Sequence, residues 1–138
     1  MPVMEGTRGL KSAQGEYDFA VDGGAVGTIT LRSAPGDSNG GEIPIGAVIL
    51  GGYIEVDTIV TSASGNTGTI AVNSEGAADL QAAAVTSGAP WSTTGRKNVI
   101  PAFTGASSIK TTARRNLAIT VAVAALTAGK FRVVVFYK

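Results

Sequence analysis

Glu42 to Ser62 reads EIPIGAVILGGYIEVDTIVTS, and its periodicity sets the fold class. Ile43 to Leu50 is a dense apolar run carrying one proline, Pro44, and one glycine, Gly46. Gly51-Gly52 predicts a break. Beyond it Ile54, Val56, Thr58 and Val60 alternate with Tyr53, Glu55, Asp57 and Ile59. A period of two over eight residues is a strand with one buried face. It is expected to be the first central strand, with Pro44 and Gly46 making its first part a bend or sheet edge.

The rest of the chain repeats that grammar. Tyr17, Phe19 and Val21 alternate with Asp18, Ala20 and Asp22, and Asp22-Gly23-Gly24 predicts a hairpin into Val26 to Leu31. Ser62 to Gly68 reads as a turn and Thr69 to Val72 as a strand. Asn73 to Ala84 is the only helix-like stretch, with Ser74 as its cap. Thr86 to Asn98 reads as a loop holding Trp91 beside Pro90, and Val99-Ile100 and Ser107 to Thr112 as short strands. Leu117 to Ala125 and Phe131 to Lys138 both alternate, with Leu126 to Gly129 between them, which predicts a C-terminal hairpin. Short strands, glycine-rich turns and almost no helix predict an all-β, single-domain antiparallel β-sandwich, jelly-roll-like in character. Met1 to Gly15 has no apolar period and is expected to be an extended N-terminal arm, with the sandwich at 16–138.

Composition narrows the chemistry. The chain has 138 residues, 44% of them hydrophobic, enough for one core, but only 15% are charged. Low charge with many small residues suggests that part of the surface is covered by a partner. There is no cysteine and no histidine. No disulfide can form, and the commonest metal ligands and general base are missing. No basic-then-apolar leader opens the chain, and the apolar runs are too short for a membrane-spanning helix. Up to position 79 there are ten acids and three bases, a balance of −7; beyond it there are eight bases and no acid, +8. In an interleaved sandwich such halves can pair within a subunit or between subunits.

Four constellations could carry chemistry, and each reads better as structure. Gly36-Asp37-Ser38-Asn39-Gly40 matches a nucleophile elbow in letters, but no helix follows and no histidine exists. Asp37 to Glu42 has carboxylates near a calcium-loop spacing, with the terminal Glu misplaced. Glu55 and Asp57 share a strand face, but no aromatic platform or cleft accompanies them. Lys110, Arg114 and Arg115 lack interleaved aromatics, which argues against nucleic acid. No catalytic residue, cofactor or metal is expected.

Several stretches resemble tailed-bacteriophage capsid decoration (cement) proteins. They are Ile43-Pro44-Ile45-Gly46-Ala47-Val48-Ile49 with Tyr53-Ile54-Glu55-Val56, then Thr69-Ile70-Ala71-Val72, Ala106 to Arg115, and Leu117 to Lys130. The resemblance covers about Glu42 to Lys138. It implies a non-enzymatic β-sandwich subunit, usually a homotrimer, made in the host cytoplasm. Such a subunit sits on the outer surface of the virion's shell and clamps neighbouring copies of the major capsid protein, without catalysis or cofactor. On that footing Arg8, Leu10 and Lys11 are expected to contact the capsid. Glu55, Asp57, Arg114, Arg115, Val134 and Phe136 are expected at a subunit interface, and Leu117, Ile119, Val133 and Val135 at an interface or in the core. The rival readings are a carbohydrate-binding or host-adhesion module using Trp91 and Tyr53 as sugar platforms, and a tail or fibre subunit.

Overall fold

The structure is a computed structural model that describes residues 11–33, 42–98 and 109–138. Arg8 and Leu10, the Ser38 loop, Asp37, Val99-Ile100, Ser107 and Ala106 lie outside the described residues.

The strands are β1 (Lys11–Asp18), β2 (Gly27–Thr30), β3 (Arg32–Ser33), β4 (Glu42–Ile43), β5 (Val48–Ser62), β6 (Thr69–Asn73), β7 (Gln81–Val85), β8 (Gly95–Asn98), β9 (Ile109–Lys110), β10 (Arg115–Asn116), β11 (Ala118–Ala122) and β12 (Leu126–Tyr137). A single helical turn, α1 (Phe19–Asp22), follows β1. The first sheet runs β3-β1-β12-β5-β8, with β9 also on β5; the second runs β2-β11-β6-β7; β4 and β10 form a small ribbon. Every pairing is antiparallel. The fold is the antiparallel β-sandwich expected. Setting aside the two-residue strands, β1-β12-β5-β8 faces β2-β11-β6-β7, and the chain changes sheet at each connection except β6 to β7.

The core explains that order. Phe131, Val133 and Val135 of β12, Ile54 and Val56 of β5 and Tyr17 of β1 meet Ile119 and Val121 of β11 and Ile70 and Val72 of β6. Trp91, fully buried, stacks on Phe131 with ring centroids 4.8 Å apart, and Tyr17 flanks Phe131 at 5.2 Å. Leu117, Ile119, Val133 and Val135 are therefore core residues, which settles that half of the open assignment.

Glu42 to Ser62 is divided differently from expectation. Pro44 and Gly46 do make a bend, between β4 and β5. Thr111 pins it: its buried hydroxyl accepts from Ala47 N at 3.0 Å and donates to Pro44 O at 2.7 Å. Gly51-Gly52, however, does not end the strand. A Cβ on Gly52 would stand 2.1 Å from Val134 O, so the glycine lets β12 approach and keeps the ladder continuous. The alternation beyond it holds: Ile54, Val56 and Val60 are buried and Asp57 and Ile59 exposed, although Thr58 is exposed as well.

Both expected hairpins are crossovers. β1 and β2 lie in different sheets, and so do β11 and β12. At the first corner Gly24 lies against Leu126, where a Cβ would meet Leu126 O at 2.4 Å, and Leu126 N donates to Gly24 O. At the second corner the chain turns at Val123 to Ala125, not at Leu126 to Gly129, and Val123 has φ +71. The two alternating stripes face each other across the core instead of lying side by side. Period-two alternation gives each strand a buried face but does not choose its neighbour.

Two boundaries move. Lys11 to Gly15, expected in the arm, are the first five residues of the eight-residue β1, in register with Tyr137 to Val133 of β12. Alternation is hard to see there because its inward positions are Ala13 and Gly15. The helix-like stretch is a loop followed by β7. Asp79 accepts from Ser74 N, Ser74 Oγ and Gly76 N, so the side chain organises a turn that helix propensity misreads.

Candidate interaction surface

The outward face of the first sheet carries its polar and aromatic side chains in rows fixed by strand register. Glu16 of β1 pairs with Arg132 of β12, Arg132 with Glu55 of β5, and Glu55 with Arg96 of β8. With Arg32 of β3 paired to Glu16, the strands β3-β1-β12-β5-β8 thus present plus, minus, plus, minus, plus. Within the row the Arg96 guanidinium lies 3.8 Å from Glu55, and Glu16 is reached from the row above by Lys130 at 3.6 Å. Arg132 Nε is buried without a hydrogen-bond partner. Two residues along, Gln14, Val134 and Tyr53 form a second row; beyond it Ser12, Phe136 and Gly51 form a third. Tyr53 and Phe136 rings lie 6.1 Å apart, and the Arg96 guanidinium sits 5.0 Å over Tyr53, within cation–π range.

The expected interface residues separate into two groups. Glu55, Val134 and Phe136 share this face, with exposed Asp57 further along β5. Val134 is only 2% exposed although it lies outside the core cluster, and the Glu16 side chain is 12% exposed against 30% for Glu55 and 70% for Arg96, so Arg96, Glu55, Tyr53 and Phe136 are the more accessible groups of the face. Arg114 and Arg115 belong elsewhere, beside the β4–β10 ribbon.

There the charges are satisfied inside the chain. Arg115 donates to Glu75 from Nε at 2.7 Å and from Nη2 at 3.2 Å. Thr112 adds its hydroxyl at 2.6 Å and its backbone N–H at 3.1 Å to the same carboxylate. The Arg115 guanidinium, and then Thr112, hold the Glu75 carboxyl at a pKa of about 2. Arg114 reaches Glu42 at 3.3 Å. Arg115–Glu75, Arg114–Glu42, Arg96–Glu55 and Lys130–Glu16 each join a base from the second half of the sequence to an acid from the first. The lopsided charge of the sequence thus resolves largely into pairing within one subunit.

Lys11, the described member of the expected capsid-contact set, is exposed at the start of β1 beside the end of β12. Lys138 and Lys110 flank Val48 at the same end of the sandwich, where Ile45 is also exposed. The opposite end shows exposed Val21, Val26 and Val123 on the corner loops. Trp91 is no sugar platform, because it is fully buried. A shallow cleft lined by Gln81, Ala89, Pro90, Arg96 and Lys97 brings bases together but no acid. Among the described residues no three metal-ligating side chains cluster, and no helix is long and apolar enough to cross a membrane.

Tyr53 and Glu55 were legible as an outward stripe. Arg96, Arg132 and Glu16 were not, because only strand order lines them up. Glu75 and Thr112 had no sequence signal, being 37 residues apart and joined by the fold.

No family model matches the sequence, and no curated protein matches it. Among solved structures, 93% of the chain is similar to a chain of the cyanophage Pam1 capsid asymmetric unit, at 23% identity over 83% of that chain, with a TM-score of 0.61. The same share is similar to a chain of the acid-stable capsid structure of Helicobacter pylori bacteriophage KHP30, at 14% identity over 86% of that chain, with a TM-score of 0.59. At these identities the likeness is one of fold.

Proposed function

We propose that this chain is a non-enzymatic structural protein of a phage virion, decorating the outer surface of the head and stabilising the shell by bridging neighbouring capsid subunits. The observation that carries the reading is the near full-length likeness to chains from two phage capsid assemblies, each matched over most of its own length. The resemblance of Glu42 to Lys138 to decoration proteins points the same way, and it also supplies the expectation of a homotrimer. The partner is then the major capsid protein, with the end bearing Lys11, Lys110, Lys138 and Ile45 as the shell-facing candidate. Bridging works through avidity: many weak, repeated contacts hold a shell that no single contact could.

The test mixes the purified protein with undecorated expanded heads. Saturation at a fixed stoichiometry, with heads that then withstand higher temperature, is the expected result. Heads that pellet without the protein at saturating concentration would sink the reading. Loss of binding in Lys11→Glu with Lys110→Glu, with the unfolding transition unchanged, would place the contact at the lysine end.

A further inference from the structure

We propose that the outer face of the first sheet binds the same face of a second copy of this chain about a two-fold axis parallel to the strands. The four charges Glu16, Arg132, Glu55 and Arg96 are self-complementary under that operation, with Arg32 of the edge strand β3 outside the overlap. Turning the sheet about an axis along the strands, midway between β12 and β5, reverses the strand order and leaves each row at its own height. Glu16 then faces Arg96 of the second copy, and Arg132 faces its Glu55. A two-fold axis across the strands would instead set each charge against itself. An isologous contact requires this property, in which residue i meets j and j meets i.

The neighbouring rows agree. Val134 and Gly51 are already buried in the single chain, so the partly exposed rings of Tyr53 and Phe136 supply the apolar contact in these rows. Twisted sheets stack face to face at about 30° with side chains interdigitating, which this spread of aromatic and charged groups permits. The contact is distinct from a three-fold grouping of subunits. On a shell it would link one trimer to the next, and it does not depend on shell binding.

The pairing rule gives the experiment, read by sedimentation and light scattering of the full chain over a range of concentrations and salt. The wild-type protein is expected to self-associate with rising concentration, less so at high salt. Arg96→Glu should weaken association at least about tenfold. Adding Glu16→Arg should restore it to within about threefold. Within one chain positions 16 and 96 are three strand spacings apart, roughly 14 Å, so no internal pair explains that rescue. The combination Arg96→Glu with Glu55→Arg rebuilds the internal pair but sets like charges across the two-fold, and should stay weak. Thermal melts of each variant separate lost association from lost folding. A constant monomer or trimer mass at every concentration in the wild type overturns the proposal, as does rescue by Glu55→Arg in place of Glu16→Arg. Binding of heads by a chain that fails this test would refute the self-pairing and leave decoration intact.

Discussion

Phe131, Val133 and Val135 alternate along β12 with Arg132, Val134 and Phe136, yet the two sets meet very different neighbours. The inward three meet Trp91, Tyr17 and the second sheet, and all are buried. The outward three meet acids, an aromatic and a glycine on adjoining strands, and two of them remain partly exposed. One strand therefore serves the fold on one face and contact on the other. The faces should separate in experiment: inward changes cost stability, and outward changes cost association.

The largest effect tests that separation directly. Phe131→Ala removes the ring between Trp91 and Tyr17 and should cost about 3–5 kcal/mol in urea unfolding. Phe136→Ala, five residues on and facing out, should cost less than about 1.5 kcal/mol, since it forfeits chiefly one aromatic pair with Tyr53. Equal losses from the two would mean that the outward face is a second core and not a contact surface.

The inward face was the legible one. Alternation from Tyr53 to Val60, and again at Leu117 and Phe131, marks large residues that must be buried, and the sandwich follows from there being several such strands. Partner choice was not legible, because Gly23-Gly24 and Leu126 to Gly129 satisfy the chemistry of a hairpin equally well. The corners exist because each stripe is wide enough to cover a stripe of the opposite sheet. The site was less legible still. Glu55 and Phe136 could be read as outward, but Glu16, Arg132 and Arg96 become a row only when β1, β12, β5 and β8 are adjacent. Arg114 and Arg115, taken together with Glu55 at the outset, sit on the β4–β10 ribbon and bind Glu42 and Glu75.

Gly52→Ala sharpens the comparison from the backbone side. The new Cβ would stand 2.1 Å from Val134 O. Separating β5 from β12 at that point strains both faces at once, with an expected loss of about 1–3 kcal/mol and weaker self-association in the same variant. Unchanged stability would show that the ladder tolerates a wider gap there.

Thr111→Val probes the bend into β5, away from either face. It keeps the shape but removes the hydroxyl that serves Ala47 N and Pro44 O, leaving the buried Ala47 N–H only its longer bond to Pro44 O at 3.4 Å. A loss toward the lower end of roughly 1–3 kcal/mol is expected, with self-association unchanged. Faster hydrogen exchange at Ala47 in the variant would locate the damage; protection equal to wild type would show that another group holds the bend.

The smallest expected effect concerns the ribbon's ion pair, and pH reads it better than deletion does. Glu75 ionises near 4.5 when free and near 2 in the folded chain, because Arg115 and Thr112 hydrogen-bond the carboxylate. A carboxyl whose folded pKa is depressed binds more protons unfolded than folded between those values. Its contribution is therefore fully present above about pH 4.5, fades as the pH falls through that window, and is gone below about 2. Glu75→Gln should flatten the acid limb of the stability–pH curve between pH 4.5 and 2 and change little at neutrality beyond a small loss, since exposed pairs are worth little. Arg115→Lys keeps the charge but not the two-pronged geometry, and should recover only part of the slope. If the acid limbs of wild type and Glu75→Gln superimpose, the Glu75–Arg115 pair is not what holds the ribbon's end, and Arg115 returns to the set of residues available for contact outside the chain.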